Sequence, residues 1–483
     1  MWRFIRYWLY LGHRWLGIVA CSLFVIWFIS GMVMTVVGHP SPDDAARRAA
    51  LRPIDWDQVR VTPNELLAAL PVERYPRELT LEMLLDQPVY RVHDWDGSRR
   101  TISARQIKST ALIDAAQASR IASDYAAAPA RMIATIDRDQ WTVAEGYGAY
   151  RPLHKLAIDD VAGTQVYVSA ATGEVALATT RQQRFWNWLG SIPHWIYFTE
   201  LRANQPLWRQ VNLWVSGPAI LVAVSGIWIG ILRVRVRGRY PGGRLSPYHG
   251  WKLWHHWLGI IGGLFLLTWI ASGWLSVNPN QWLSGGWPSP HQFLQYAAHR
   301  GVSHEANLSM VNRTAYADVR QASFYHVGGR ALLRLNSPRG PAIIDAQSGE
   351  VVTLDAASLF DAIEKVLPHA TLIARQRIVA DDLYWYSHHD RRPLPVLRAV
   401  FDDPDASWFY LDPATGQIVD FSDNGGRSYR WWFNALHRFD FSWLLQRRML
   451  WYGLIWTLAS VGLALSITGL VIGWRRLRGK AAR

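Results

Sequence analysis

Four histidines stand at matched positions beside long apolar stretches. His13 lies in Leu11-Gly12-His13-Arg14-Trp15-Leu16-Gly17, and His255 lies in Leu253-Trp254-His255-His256-Trp257-Leu258-Gly259. Each is followed 17 residues later by Ser-Gly, at Ser30-Gly31 and Ser272-Gly273. In a second pair, His194 precedes Gly226 by 32 residues and His437 precedes Gly469 by 32. Imidazole offers a neutral lone pair near physiological pH and is the commonest protein ligand for transition metals. Electron-transfer haems commonly take two axial side chains and keep no open position. Two histidines at each of two depths are the ligand count for two such haems, with His13 paired to His255 and His194 to His437. The opposing reading is four interfacial histidines, tolerated where headgroups and water begin and doubled with the rest of a repeat. An ionisable residue at membrane depth is costly and marks function by default. His256 is the nearest rival to His255, because the first copy has Arg14 there, and His39 is a weaker rival beyond the first apolar stretch.

The elements that position these residues are apolar. The chain has 483 residues, half of them apolar and 18% charged, which excludes disorder as its main state. Four segments, 15–37, 211–232, 253–277 and 450–474, carry no charged residue. A bilayer span needs about 20 apolar residues, so each is long enough. Residues 1–14, 233–252 and 475–483 hold 14 Lys and Arg and no acid, which is the whole of the formal charge of +14. The positive-inside rule then places both termini and the 233–252 loop in the cytoplasm. The first apolar run exceeds a signal peptide's core of about 7–15 residues and lacks a small-x-small cleavage site, so it reads as a retained helix. Basic charge confined to membrane flanks speaks for topology and membrane lipid and against nucleic acid. The single Cys, Cys21, excludes a disulfide framework and a four-Cys zinc site, and without Cys-x-x-Cys-His haem is not covalently attached. No HExxH, P-loop, nucleophile elbow or dinucleotide glycine motif occurs, so proteolysis and soluble hydride chemistry have no visible machinery.

The predicted organisation is a tail and first span over 1–37, an outer region over 38–210, a second span over 211–232, and a basic loop over 233–252. A third span over 253–277, a second outer region over 278–449, a fourth span over 450–474 and a basic tail over 475–483 follow. The two halves read as a tandem repeat in the same direction. Arg151-Pro152-Leu153 leads to Ala171-Thr172-Gly173-Glu174, as Arg392-Pro393-Leu394 leads to Ala414-Thr415-Gly416-Gln417. The outer regions are expected to be α+β. Helices are predicted over 115–127 and 356–366, behind Asp114 and Asp355 as N-caps. Strands are predicted over 165–169 and 408–412, each closing on a Thr-Gly turn, with a third such turn over 345–350. Repeated hairpins predict more than one small domain per half. Every span also holds Ser-Gly or Thr-Gly: Ser30-Gly31, Ser225-Gly226, Ser272-Gly273 and Thr468-Gly469. Their glycines suit either the flat face of a macrocycle or plain helix packing. Trp2, Trp8, Trp186, Trp188, Trp431 and Trp432, among 28 Trp, fall where an interfacial aromatic belt is expected.

Tyr167-Val-Ser-Ala-Ala-Thr-Gly-Glu174 and Tyr410-Leu-Asp-Pro-Ala-Thr-Gly-Gln417 resemble the closing hairpin of PepSY domains. His13-Arg-Trp-Leu-Gly at a helix start, and Asn434-Ala-Leu-His437 ahead of a span ending in Thr468-Gly469, resemble the PepSY-associated transmembrane helix family. That family includes iron-regulated inner-membrane proteins and siderophore reductases. The resemblance implies a multi-pass protein of the bacterial inner membrane. It further implies bound haem, here two haem b with bis-His ligation, and reduction of a periplasmic ferric siderophore. Electrons would enter from a cytoplasmic reductase or from quinol. The fold so implied is an α-helical membrane protein with four transmembrane helices in two tandem halves and α+β PepSY-like periplasmic domains. Two other readings stay open: a haemless membrane protein whose PepSY regions serve a protein partner, and a quinone-linked electron carrier. One segment breaks the repeat. Ser387-His388-His389-Asp390-Arg391 has no counterpart in the first copy, and His388 and His389 could bind metal directly or receive a ferric chelate, against the alternative of a solvated loop.

Overall fold

In the computed structural model, which describes residues 2–299, 301–388 and 392–479, the four apolar segments are four long helices. They run over Trp2–Met34, Gln205–Arg233, Gly250–Ser276 and Arg448–Leu477. The first begins ahead of its apolar run and spans 33 residues, about 50 Å at 1.5 Å per residue. That exceeds a hydrocarbon core of about 30 Å, so its basic first turns continue the helix beyond the apolar layer. The first helix packs on the second and the fourth, and so does the third, which leaves the first and third facing across a diagonal. The centre is closed by Ala20, Phe24, Phe28, Ala223, Leu266 and Trp269. Small residues let the helices approach: a Cβ on Gly462 would fall on the Phe28 ring.

Among the described residues, the polar regions form fourteen strands in three antiparallel sheets at one end of the bundle. Strands β1 (Glu78–Leu84), β2 (Gln87–His93) and β3 (Arg99–Ser103) come from the first region, followed by β4 (Ala130–Ile136), β5 (Leu153–Ile158), β6 (Gln165–Ser169) and β7 (Val175–Thr179). The second region supplies β8 (Gln321–Val327), β9 (Arg330–Ser337), β10 (Gly340–Asp345), β11 (Leu372–Ile378), β12 (Val396–Phe401), β13 (Trp408–Leu411) and β14 (Ile418–Ser422). Strands β4–β7 and β11–β14 each make a four-stranded sheet in sequential order. Helix Ala115–Ala126 contributes to the core of the first, and Ala356–Glu364 to that of the second. Asp114 and Asp355 cap these helices, accepting from Gln117 N and Ser358 N, as the sequence predicts.

The third sheet departs from the expectation of separate small domains in each half. It has six strands in the order β10-β9-β8-β1-β2-β3, so both polar regions share it. The join is the antiparallel pairing of β1 with β8, from Leu79 opposite Phe324 to Glu82 opposite Gln321. Edge strands left open invite another chain, and here each region's open edge is closed by the other. Pairing between strands some 240 residues apart leaves no local signature, which is why the hairpins were visible in the sequence and the shared sheet was not.

A buried ion network ties this sheet to the β6–β7 turn. Glu82 is fully buried and receives Arg91 Nε at 2.9 Å, Arg47 Nη1 at 3.1 Å and Gln321 Nε2 at 2.8 Å. Arg91 also donates to Thr101 Oγ1 at 2.6 Å and to the carbonyl of Thr172, in the turn that carries Glu174. Glu174 takes Arg99 Nη1 at 3.1 Å. Burial alone would raise both carboxyls. For Glu82 the Arg47 and Arg91 guanidiniums outweigh it, and for Glu174 the His93 hydrogen bond with Arg91 and Arg99 does so, holding both below the usual carboxylate range. A depressed folded-state pKa stabilises at pH values above the unfolded Glu value of about 4.3 and is lost as pH falls through the folded value. Denaturant melts of the purified chain should therefore show the sheet-bearing regions losing stability below about pH 4. Glu82→Gln, which leaves two guanidiniums uncompensated, should cost about 3–5 kcal/mol at pH 7 and remove part of the acid sensitivity.

Candidate functional site

The bundle brings the four histidines together in two facing pairs. His13 and His255 have ring centroids 6.5 Å apart with planes inclined at 48°. His194 and His437 have centroids 6.1 Å apart with planes at 73°. His13 and His255 come from the diagonal helices, near the end away from the sheets. His194 ends the short helix Ser191–His194, and His437 lies in Leu436–Arg438 behind a π-helical stretch, Arg430–Ala435. Both stand at the sheet-bearing end. Local π-turns commonly re-aim a side chain at a functional site.

Each imidazole is fixed through Nδ1. His13 Nδ1 lies 3.1 Å from Val222 O and 3.1 Å from Ser225 Oγ, on the second helix. His255 Nδ1 lies 3.3 Å from Leu465 O and 3.0 Å from Thr468 Oγ1, on the fourth. His437 Nδ1 lies 3.1 Å from Trp269 O and 3.1 Å from Ser272 Oγ, on the third. His194 Nδ1 meets Ser30 Oγ at 3.0 Å on the first, and that hydroxyl donates to Trp27 O at 3.2 Å. A carbonyl only accepts, and a hydroxyl whose proton is spent on a carbonyl also accepts. All four Nδ1 atoms therefore carry the proton. The four Nε2 atoms have lone pairs and no hydrogen-bond partner among the described residues. Second-position hydrogen bonds of this kind set the tautomer and orientation of metal-binding histidines.

The glycine of each dipeptide completes the seat. A Cβ on Gly226 would come 2.8 Å from His13 Cε1, on Gly31 3.2 Å from His194 Cε1, on Gly469 3.2 Å from His255 Cε1, and on Gly273 3.4 Å from His437 Cε1. Every Ser/Thr-Gly pair thus serves one imidazole, the hydroxyl at Nδ1 and the glycine against Cε1. The sequence placed these glycines at the right depths but missed the hydroxyls, although Ser or Thr precedes glycine in all four spans.

A direct hydrogen bond between facing rings would bring their centres to about 5 Å. One metal between two trans imidazoles, with metal–nitrogen bonds of about 2 Å, sets them about 6.2 Å apart. Both pairs sit near the second value. Among the described residues, no three His, Cys, Asp or Glu converge as a metal held by protein alone would require. Two imidazoles and nothing more fit a metal whose equatorial positions are filled by a macrocycle, and haem iron is the biological case.

The His194–His437 pair opens into a cavity of about 1560 Å³ beneath the sheets. Ordinary ligand pockets measure about 300–1,000 Å³, so there is room for a macrocycle and a second molecule. Trp27, Trp195, Trp208, Trp269 and Trp451 line it. Trp8, Trp186, Trp188, Trp431 and Trp432 instead point outward, as a belt requires.

The profile of the PepSY-associated TM region matches residues 10–338. The chain belongs to this family. No curated protein matches the chain. The match covers the first three membrane helices and the shared sheet as far as β9, and stops short of His437. Among the described residues of this PepSY-associated protein, neither rival, His256 or His39, packs against a second imidazole. His256 is buried with Nδ1 2.9 Å from Ser246 Oγ and Nε2 2.9 Å from Gly230 O, so neither nitrogen is open. His39 is held by Ser191 Oγ at 3.0 Å among Trp141, Trp195 and Tyr197. His388 meets Asp440 Oδ1 at 2.7 Å through Nε2 and packs on Trp451. His389 lies outside the described residues. Asp440, fully buried and also receiving Tyr386 OH at 2.8 Å, was not singled out from the sequence.

Because Nδ1 is pinned, the rings cannot swing away from an added methyl group. Gly226→Ala should displace His13 and lower the melting temperature of the purified chain. Gly12→Ala, on the open face of the same first helix that carries His13, should leave it unchanged. Equal melting temperatures of the two variants would show that the close fit at Cε1 does not matter.

Proposed function

We propose that this protein is a haem-containing membrane reductase that delivers electrons to a ferric chelate, of the siderophore class, held beneath its sheets. The observation that carries the proposal is the pair of facing imidazoles at each end of the bundle, with every Nε2 bare and every Nδ1 committed. His13 and His255 would hold one haem b, and His194 and His437 a second. Bound haem supplies one-electron chemistry at a potential set by its ligands and surroundings.

The rest is the work of this chain. The Nδ1 hydrogen bonds to Val222, Leu465 and Trp269 make the imidazoles stronger donors and keep their planes fixed through a change of charge. Ser30 and Ser272 lie 17 residues beyond His13 and His255 on the same helices, so the two levels are about 26 Å apart. Phe24, Phe28, Leu266 and Trp269 form an apolar cluster that walls the cavity's inner end. With two histidines holding each haem, a chelate would be reduced without binding the haem iron. Tyr386, His388 and Arg438 line the cavity on its second-half side, gathered on Asp440. Reduction to ferrous iron weakens binding by hard oxygen ligands and frees the metal.

In this reading the two halves are tandem copies, each a span, an outer region with a PepSY hairpin, an outer histidine segment and a second span. The like order of β4–β7 and β11–β14 supports the repeat. The sheets lie on the periplasmic side of the inner membrane, and both termini and the 233–252 loop lie in the cytoplasm. The concentration of basic residues in those three stretches supports that orientation. A reporter fused near Gly242 should be active only in the cytoplasm, and one near Gly301 only in the periplasm; the opposite pattern would reverse the orientation.

His13→Ala and His255→Ala should each lose the same haem, and neither should lose the one removed by His194→Ala. Full retention of two low-spin haems in His13→Ala would refute the pairing. Dithionite-reduced protein should reoxidise on addition of a ferric hydroxamate, with ferrous iron appearing in step and carbon monoxide inhibiting little. Reduced protein that ignores ferric chelates but reacts readily with a quinone would make it a quinone-linked carrier.

A further inference from the structure

The cavity wall holds a cation without an anion. Arg202 lies in the short helix Thr199–Ala203, eight residues after His194. Its guanidinium carbon sits over two rings, 5.3 Å from the centroid of Tyr197 and 4.8 Å from that of Trp208. The platform is itself fixed, since Trp208 Nε1 donates to Trp195 O at 2.9 Å. Arg202 Nε is buried and has no partner, and no carboxylate or carbonyl among the described residues receives the guanidinium. Arg202, Tyr197 and Trp208 wall the same cavity as His194 and His437. The other arginines there differ. Arg438 has Asp440 at 3.6 Å, and Arg448 donates to the carbonyl of His388. A guanidinium carries five N–H donors and no acceptor. The two aromatic faces hold it from the side and leave its N–H fork unspent.

We propose that Arg202 anchors a carboxylate, and that the carboxylate is a propionate of the haem held by His194 and His437. The proposal rests on the haem reading of that pair. The planar fork matches a carboxylate with two parallel hydrogen bonds, the strongest geometry available to an arginine. A carboxylate on a bound ferric chelate offers the same chemistry, and the test separates the two sources.

The test is a potentiometric titration of the full chain with Arg202→Gln and Arg202→Lys, following each haem by its absorbance. Arg202→Gln removes a positive charge from the wall of the cavity and would leave a propionate's negative charge unpaired, and both favour the ferric state. The midpoint of the haem that His194→Ala loses should fall by about 59 mV, a tenfold change for one electron, while the other haem keeps its value. Arg202→Lys keeps the charge and should recover a large part of that fall. An unchanged midpoint with haem in place overturns the proposal and leaves the haem reading standing. If in that case the KM for a carboxylate-bearing ferric chelate rises and that for a hydroxamate chelate does not, the anchored carboxylate belongs to the substrate. Equal falls in the Lys and Gln variants would assign the effect to packing on Tyr197 and Trp208 and also overturn it. A wild-type protein that binds no haem overturns the parent reading instead.

Discussion

The arrangement depends on one repeated contact: a histidine Nδ1–H held by a helix that does not carry that histidine. Each of the four contacts crosses from one element to another, His13 to the second helix, His255 to the fourth, His194 to the first and His437 to the third. They act as clamps between helices as well as settings for the imidazoles. A backbone carbonyl inside an apolar helix becomes available where a Ser or Thr hydroxyl joins it and a glycine clears space for the ring. Polar groups at such depth are costly when unpaired, so each histidine needs its seat, and the four seats fix the helix registry at two depths together.

The sheets bear on the site through the same elements. Helix Arg181–Leu189 and the π-helical stretch Arg430–Ala435 connect the last strand of each four-stranded sheet to its outer histidine. The shared six-stranded sheet joins the two regions, so their histidine segments are held at a common spacing. Asp440 works at the junction. It lies three residues after His437 and receives His388 and Tyr386 from the second region, while its carbonyl receives Arg430. A membrane bundle with few polar groups is thereby located against a soluble body by a small number of buried hydrogen bonds.

Much of this was legible in the residues. Charge-free stretches gave the helices, and the matched spacing of His13 with His255 and of His194 with His437 gave the pairs, because equal spacing along the spans places matched residues at equivalent depths. Asp114, Asp355 and the Thr-Gly turns showed the local α+β units. The joining of β1 to β8 was not legible, since it is a pairing between distant segments with no local cue. The partnership of Ser30 with His194 was hidden for the same reason: its spacing of 164 residues is set by the whole intervening fold. Glycine drew attention in the Ser/Thr-Gly dipeptides because close packing is its usual role, and the adjoining hydroxyls escaped notice because serine and threonine in membrane helices most often bond their own backbone.

The central claim is that two pairs of imidazoles with bare Nε2 atoms each hold a haem iron. Electron paramagnetic resonance of the oxidised purified protein, calibrated against haem content by pyridine haemochrome, tests it most directly. The account predicts two haem b per chain and two low-spin bis-imidazole signals, distinguishable because the ring planes cross at 48° in one pair and 73° in the other. A colourless protein, or haem in a high-spin state with one axial imidazole, would contradict it.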